Sequence, residues 1–218
     1  MKPRPACVRV KICGVTNQAD AAAAIALGAD ALGFNLFAGS KRCIELDREA
    51  VWIAELPPFV TRVAVLVNAP IEEARRIGEH PAIQCVQFHG DEDAAYCASY
   101  ARSGRPFIKA LRILDAESIA EAPRYSTRHV LLDAHAGTAY GGTGTPIDLP
   151  LAAELAQAHP TLQVILAGGL RPTNVAAAID AVHPFAVDVA SGVENPADPR
   201  RKDAARMGAF FAAVRGGA

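Results

Sequence analysis

The sequence predicts an α/β protein built as a single (β/α)8 TIM barrel over residues 1–218, and three observations carry that prediction. Short apolar, β-branched runs recur eight times, a helix-forming stretch follows each, and no linker, low-complexity tract or shift of composition divides the chain. Parallel strands are joined by crossovers and covered on both faces, so they read as near-continuous apolar runs. Barrels of about 200 residues or more are ordinary single domains. A doubly wound open sheet is the rival, but its first βα turn would usually carry a dinucleotide fingerprint, and Cys13-Gly14-Val15-Thr16 is not GxGxxG.

Taken in order, the predicted strands are Val8–Ile12, Ala31–Leu36, Arg62–Val67, Ile83–Phe88, Phe107–Leu111, His129–Leu132, Gln163–Ala167 and Phe185–Val189. Each is four to six residues of mainly apolar character, the signature of a strand buried on both faces. The predicted helices are Asn17–Leu27, Asp47–Glu55, Ile71–Glu79, Asp91–Arg102, Ala116–Glu121, Leu149–Ala158, Pro172–Ala181 and Asp198–Val214, alanine-rich or charged with one apolar stripe. The longest irregular stretch is Ala134-His-Ala-Gly-Thr-Ala-Tyr-Gly-Gly-Thr-Gly-Thr-Pro146, and a long Gly-rich loop in a compact domain is usually functional.

Composition narrows the function. Hydrophobic residues make up 51% of the chain, enough for a large interior, and the net charge of -1 comes without any block of like charges. Neither a nucleic-acid nor a membrane-surface footprint is present, so a small molecule is the expected partner. The five cysteines are odd in number and form no CxxC pair, unlike a disulfide framework or a zinc site. With no secretory h-region at the N-terminus and no apolar run long enough to span a bilayer, the expected compartment is the cytosol. No exposed stripe compels a dimer, so a monomer is expected.

In such barrels chemistry sits on the loops after the strands, so the polar residues following each apolar run are the candidates. Gly141-Gly142-Thr143-Gly144, Gly168-Gly169 and Ser191-Gly192 follow the last three strands. Glycines let backbone N–H groups approach an anion closely, so Gly142, Gly144, Gly168, Gly169, Ser191 and Gly192 are the expected phosphate site. Cys13 and Asp133 end the first and sixth strands, which are not neighbours around a ring, so the two could face each other across the mouth as a base and an acid. Free cysteine is most often a small buried apolar group, and an acid at a strand end serves equally well as a cap. Arg42, with no acidic residue nearby before Glu45, offers a planar fork to a carboxylate or phosphate. His89 has either a ligand-facing or a structural role. No HExxH, no cluster at metal-ligand spacing and no dinucleotide fingerprint occurs, so neither metal nor cofactor is expected.

Several ordered segments together carry a resemblance. Lys11-Ile12-Cys13-Gly14, Ser40-Lys41-Arg42, Gln87-Phe88-His89-Gly90, Leu131-Leu132-Asp133-Ala134, Gly141-Gly142-Thr143-Gly144, Ala167-Gly168-Gly169 and Ser191-Gly192-Val193-Glu194 span nearly the whole chain. In this order they resemble the phosphoribosylanthranilate isomerase family. The resemblance implies an Amadori rearrangement in tryptophan biosynthesis, with N-(5-phosphoribosyl)anthranilate becoming a carboxyphenylamino-deoxyribulose phosphate. It also implies that Cys13 removes the C2 proton, that Asp133 protonates the furanose oxygen, and that Arg42 holds the anthranilate carboxylate. These roles require Asp133 to carry a proton for part of the cycle and lead us to expect an acidified Cys13 thiol. Lys41 stands where the family usually has proline, and Ile147-Asp148-Leu149 where it has a Phe-Asp-Trp-like segment. Gln87 and His89 match the motif without an assigned role. The competing readings are another phosphate-binding barrel enzyme, such as an indole-glycerol-phosphate synthase, and a non-catalytic barrel that binds a sugar phosphate. The synthase would need a catalytic lysine and glutamate on early strands, and strand one instead ends in Cys13; retention of both Cys13 and Asp133 argues against a silent barrel.

Overall fold

The computed structural model describes residues 8–112, 115–133 and 147–216. Eight parallel strands close into a barrel in sequence order: β1 (Arg9–Cys13), β2 (Ala31–Asn35), β3 (Thr61–Leu66), β4 (Cys85–Phe88), β5 (Phe107–Arg112), β6 (His129–Asp133), β7 (Gln163–Leu166) and β8 (Ala186–Val189). Closure is made by β1 against β8, where Lys11 pairs with Asp188 and Ile12 with Val189. The outer ring consists of α1 (Gln18–Ala26), α2 (Leu46–Ala54), α3 (Ile71–Glu79), α4 (Ala94–Ala101), α5 (Ala116–Glu121), α6 (Leu149–Ala158), α7 (Val175–Val182) and α8 (Ala204–Val214). The predicted (β/α)8 fold is thus the observed one, and the strand boundaries shift by one or two residues.

The strand pleat sorts side chains into two cores, because successive residues point to opposite faces. Val10, Ile12, Leu32, Phe34, Val86, Phe88, Leu132 and Val187 face outward into the layer beneath the helices. Val63, Ile108, Ala110, Leu131, Ile165, Ala167 and Ala186 fill the barrel interior. Lys11 and Cys13 share the inward face of β1, and Asp133 continues the inward face of Leu131. At the opposite end the Arg9 guanidinium lies 4.3 Å from the Phe185 ring centroid, where the strands begin.

Several helix starts are capped by side chains at the ends of the βα loops, as backbone N–H groups there have no intrahelical partner. Asn17 accepts from the Asp20 N–H at 2.9 Å, Asp93 from Tyr96 at 2.7 Å, and Asp203 from Arg206 at 2.9 Å. Asp148 accepts from Leu151 at 3.0 Å, so α6 begins properly although Ile147 and Leu149 stand where aromatics were expected.

One predicted element needs correction. The stretch Asp198–Val214 is not one helix: a hairpin of β9 (Glu194–Asn195) and β10 (Asp198–Lys202) precedes α8. Its partner is far away in sequence, since the buried Asp20 carboxylate accepts the Lys202 N–H at 2.8 Å and pairs with Arg201 at 3.3 Å. Among the described residues, no helix is long and apolar enough to cross a membrane.

Candidate active site

Both predicted reacting residues are the last residues of their strands, Cys13 on β1 and Asp133 on β6, and both lie at the C-terminal mouth. Below the thiol, Lys11 Nζ donates to Asp188 Oδ1 at 2.8 Å, with both side chains almost fully buried. Gly33 of β2 makes this crowding tolerable: a Cβ there would meet Cys13 Sγ at 2.8 Å and Lys11 Nζ at 3.1 Å. Burial by itself would lower the Lys11 pKa, but Asp188 and Cys13 together, through charge and hydrogen bonding, carry it above its ordinary range. The expectation of an acidified thiol is not met. Burial pushes Cys13 up, and the cationic Lys11 pulls it down only in part, because that charge is already committed to Asp188.

Asp133 is held from β4. Gln87 Nε2 lies 2.7 Å from His89 Nδ1, and His89 Nε2 lies 3.0 Å from Asp133 Oδ2. The remaining face of His89 and Asp133 borders a cavity of about 300 Å³, together with Lys109, Arg112 and Tyr125. The loop wall beside it is tied to β5: the buried Lys109–Glu92 pair at 2.8 Å is anchored further by a Lys109 bond to the Gly90 carbonyl at 2.7 Å.

Arg42 does have an acidic partner, contrary to the local reading of its loop. Its Nε donates to the Glu194 carboxylate, delivered by β9, and Lys202 Nζ approaches the same oxygen at 3.4 Å. Burial lowers the Lys202 pKa, with Glu194 offsetting only part of the effect. Arg42 packs along Gly14, whose φ of +71° is a conformation that glycine adopts without strain. Among the described residues its two Nη groups keep no hydrogen-bond partner and remain available to an anion. The restraint expected from proline at position 41 is supplied otherwise: Ser40 Oγ accepts the Arg42 N–H at 3.1 Å, and Arg200 of β10 donates to the Cys43 carbonyl at 3.0 Å.

Two of the three predicted phosphate-loop segments come together. Gly168 and Gly169 follow β7 in left-handed conformations, φ +80° and +65°. Among the described residues their N–H groups donate to no backbone carbonyl. Asn174 fastens the loop by donating to the Gly169 carbonyl at 3.0 Å. Ser191–Val193 form a 3-10 turn after β8, and Gly192 sits so close to Leu170 that a Cβ would strike the Leu170 carbonyl oxygen. Gly142 and Gly144 lie outside the described residues.

Sequence reasoning missed Lys11, Asp188, Lys202 and Arg200 as parts of the site. Two of them left a signal: Lys11 and Asp188 are charged residues inside otherwise apolar strand runs, which is tolerated only when such charges are paired.

A closed parallel barrel with its unpaired donors and titratable groups gathered at the C-terminal mouth defines an enzyme of the (β/α)8-barrel class. A family model described as N-(5'phosphoribosyl)anthranilate (PRA) isomerase matches residues 10–213, and the chain belongs to that family. It is 46% identical over 212 residues to the N-(5'-phosphoribosyl)anthranilate isomerase of Pseudomonas fluorescens, covering 95% of this chain and 96% of that one. Against the Geobacter metallireducens enzyme of the same name identity is 44% over 204 residues, 94% and 97% of the two chains. Among solved structures, phosphoribosyl anthranilate isomerase from Thermotoga maritima aligns with a TM-score of 0.85 at 38% identity, over 96% and 99% of the two chains. Another structure of that enzyme type, in complex with reduced 1-(o-carboxyphenylamino)-1-deoxyribulose 5-phosphate, aligns at 0.81 with 36% identity, over the same shares.

Proposed function

We propose that this barrel catalyses the Amadori rearrangement of N-(5-phosphoribosyl)anthranilate in tryptophan biosynthesis, with Asp133 as general acid and Cys13 as general base. The observation that carries the assignment is that a thiol and a carboxylate end two non-adjacent strands on the inward face of one barrel mouth. Asp133 gives its proton to the furanose oxygen as the C1–O bond breaks, and the anthranilate nitrogen donates its lone pair to form an iminium at C1. That cation acidifies the C2 proton, which Cys13 removes; the resulting enolamine then tautomerises to the ketone. The chemistry needs no external oxidant, since C1 is reduced as C2 is oxidised. Expression in a tryptophan auxotroph lacking this isomerase tests the reading: growth without tryptophan is expected, and no rescue by well-expressed protein contradicts it.

Arg42 is assigned to the anthranilate carboxylate through its two Nη groups, Glu194 orienting the guanidinium from behind. Losing a charge-assisted bond of about 1.5–3 kcal/mol, Arg42→Ala is expected to raise KM roughly tenfold to a hundredfold with a smaller change in kcat. The phosphate is assigned to the Gly168-Gly169 and Ser191-Gly192 ends, joined by Gly142 and Gly144. Gly192→Ala forces the turn away from Leu170, and an overpacking cost of about 1–3 kcal/mol is expected in urea unfolding, together with weaker binding of the reduced product analogue. We further infer a cytosolic monomer formed by one domain over residues 1–218. The described cysteines are free thiols, and the exposed large hydrophobics among the described residues are Val51 and Phe59 alone, too few for a broad apolar patch.

A further inference from the structure

We propose that Lys202 determines the preference of the barrel for a ligand carboxylate, as the second of two cations placed on one buried carboxylate, so that the charge of Arg42 is left uncancelled at the mouth. The inference deepens the reading of Arg42 as the carboxylate-binding group and rests on it. Lys202 of β10 and Glu194 of β9 are register partners across the hairpin. The Lys202 side chain is fully buried, and its Nζ lies 3.4 Å from Glu194 Oε1, the same oxygen that accepts from Arg42 Nε. Its other acceptor is a neutral group, the Ala190 carbonyl at 3.1 Å. Arg42 and Glu194 are themselves only 15% and 10% exposed, so solvent screens the cluster little.

One carboxylate cancels one charge, and among the described residues no other acid bonds to either cation. Asp188 is committed to Lys11 at 2.8 Å, while Asp20 pairs with Arg201 and accepts the backbone N–H of Lys202 rather than its ammonium. Residues 1–7, 113–114, 134–146 and 217–218 contribute no acidic side chain. Burial pushes the Cys13 thiol up, so it is uncharged at neutral pH. Arg42, Glu194 and Lys202 together therefore carry one positive charge in excess.

A buried ammonium that shares its counter-ion is destabilising, and an apolar residue of similar length would hold the hairpin without that penalty. What an apolar residue could not supply is the excess charge. Were position 202 neutral, Glu194 would answer Arg42 in full, and an incoming anion would meet a pair of no net charge. With Lys202 in place, the Arg42 Nη groups present a charge that a ligand carboxylate completes. Lys202 acts through Glu194 and Arg42 and needs no contact with the substrate.

The test is calorimetric titration of the full chain with two ligands, the reduced product analogue and its counterpart without the ring carboxylate. Both carry the same phosphate, so the ratio of their affinities isolates the carboxylate. Lys202→Met is expected to shrink that ratio by about tenfold to a hundredfold, the effect of removing a nearby unit charge from a weakly screened site. The double variant Lys202→Met/Glu194→Gln removes one charge of each sign, keeps an oxygen to accept from Arg42 Nε, and should restore the ratio. If Lys202→Met does not fold, the step from Glu194→Gln to the double variant removes the same charge and should shrink the ratio likewise; no change across that step overturns the proposal. A double variant as poor as Lys202→Met marks a merely structural role and also overturns it. So does equal weakening of both ligands, which would assign Lys202 to the phosphate end beside Ala190. Arg42→Ala run alongside separates the failures: if it leaves the ratio unchanged, the carboxylate reading itself has failed, whereas a reduced ratio in Arg42→Ala beside an unchanged one in Lys202→Met refutes the role of Lys202 alone.

Discussion

Lys11→Met is expected to destabilise the barrel by about 3–5 kcal/mol, the cost of leaving one member of a buried ion pair uncompensated. Asp188 would remain in the barrel interior with its partner gone, since the pair lies at 2.8 Å with both side chains under 10% exposed. Urea unfolding measures the loss. The double variant Lys11→Met/Asp188→Leu should recover most of it, because a hydrophobic pair of similar volume removes both desolvated charges at once. The pH dependence has a definite sign. Asp188 raises the Lys11 pKa above its ordinary value of 10.5, so the stabilisation is present in full below that value and fades only as pH climbs toward the folded-state one. Wild type and Lys11→Met should thus differ by a constant amount across the neutral range. Lys11→Met should also lower activity, since it removes the cation that restrains the rise of the Cys13 pKa. A variant as stable as wild type would refute the account of the interior charge pair.

Asp133→Asn is expected to slow turnover by roughly 10^2–10^4, the range that a positioned general acid supplies. The substitution is chosen because it keeps an oxygen to accept from His89 Nε2, so the contact at 3.0 Å survives while the transferable proton is lost. KM and affinity for the reduced product analogue should therefore change little. That pattern, a fall in kcat without a fall in binding, identifies an interaction used only in the transition state. Near-wild-type kcat in Asp133→Asn would move the acid elsewhere.

The barrel was legible because its strands carry their own signal. Val10, Ile12, Leu32, Phe34, Leu132 and Val187 face helices while Leu131, Ile165 and Ala186 face the interior, so nearly every strand position is apolar and the runs stand out from charged helices. Cys13, Asp133 and the glycine-bearing ends were legible for a related reason: each stands at or just beyond the end of a mainly apolar run, which in this architecture is where the mouth begins. The hairpin was not. Asp198-Pro-Arg-Arg-Lys202 has no strand character of its own and is held by Asp20 and by a two-residue strand, contacts that no local pattern contains. The Arg42–Glu194 pair spans 152 residues, and the Lys11–Asp188 pair spans 177. Local reading therefore described Arg42 as lacking an acidic neighbour and could not foresee that burial would outweigh the pull of Lys11 on the Cys13 thiol.

Steady-state turnover of freshly generated N-(5-phosphoribosyl)anthranilate by wild type and Cys13→Ala, with reduced-product affinity measured on both, tests the central claim most directly. The account predicts rapid wild-type turnover, a loss of at least ~10^2 in Cys13→Ala and intact binding in each. Because burial raises the thiol pKa, wild-type kcat/KM should climb with pH through the neutral range on the limb that reports thiolate, and Cys13→Ala should lose that limb. Tight binding of the product analogue by a wild-type protein that does not turn the substrate over would contradict the account and leave a barrel that binds sugar phosphate without rearranging it.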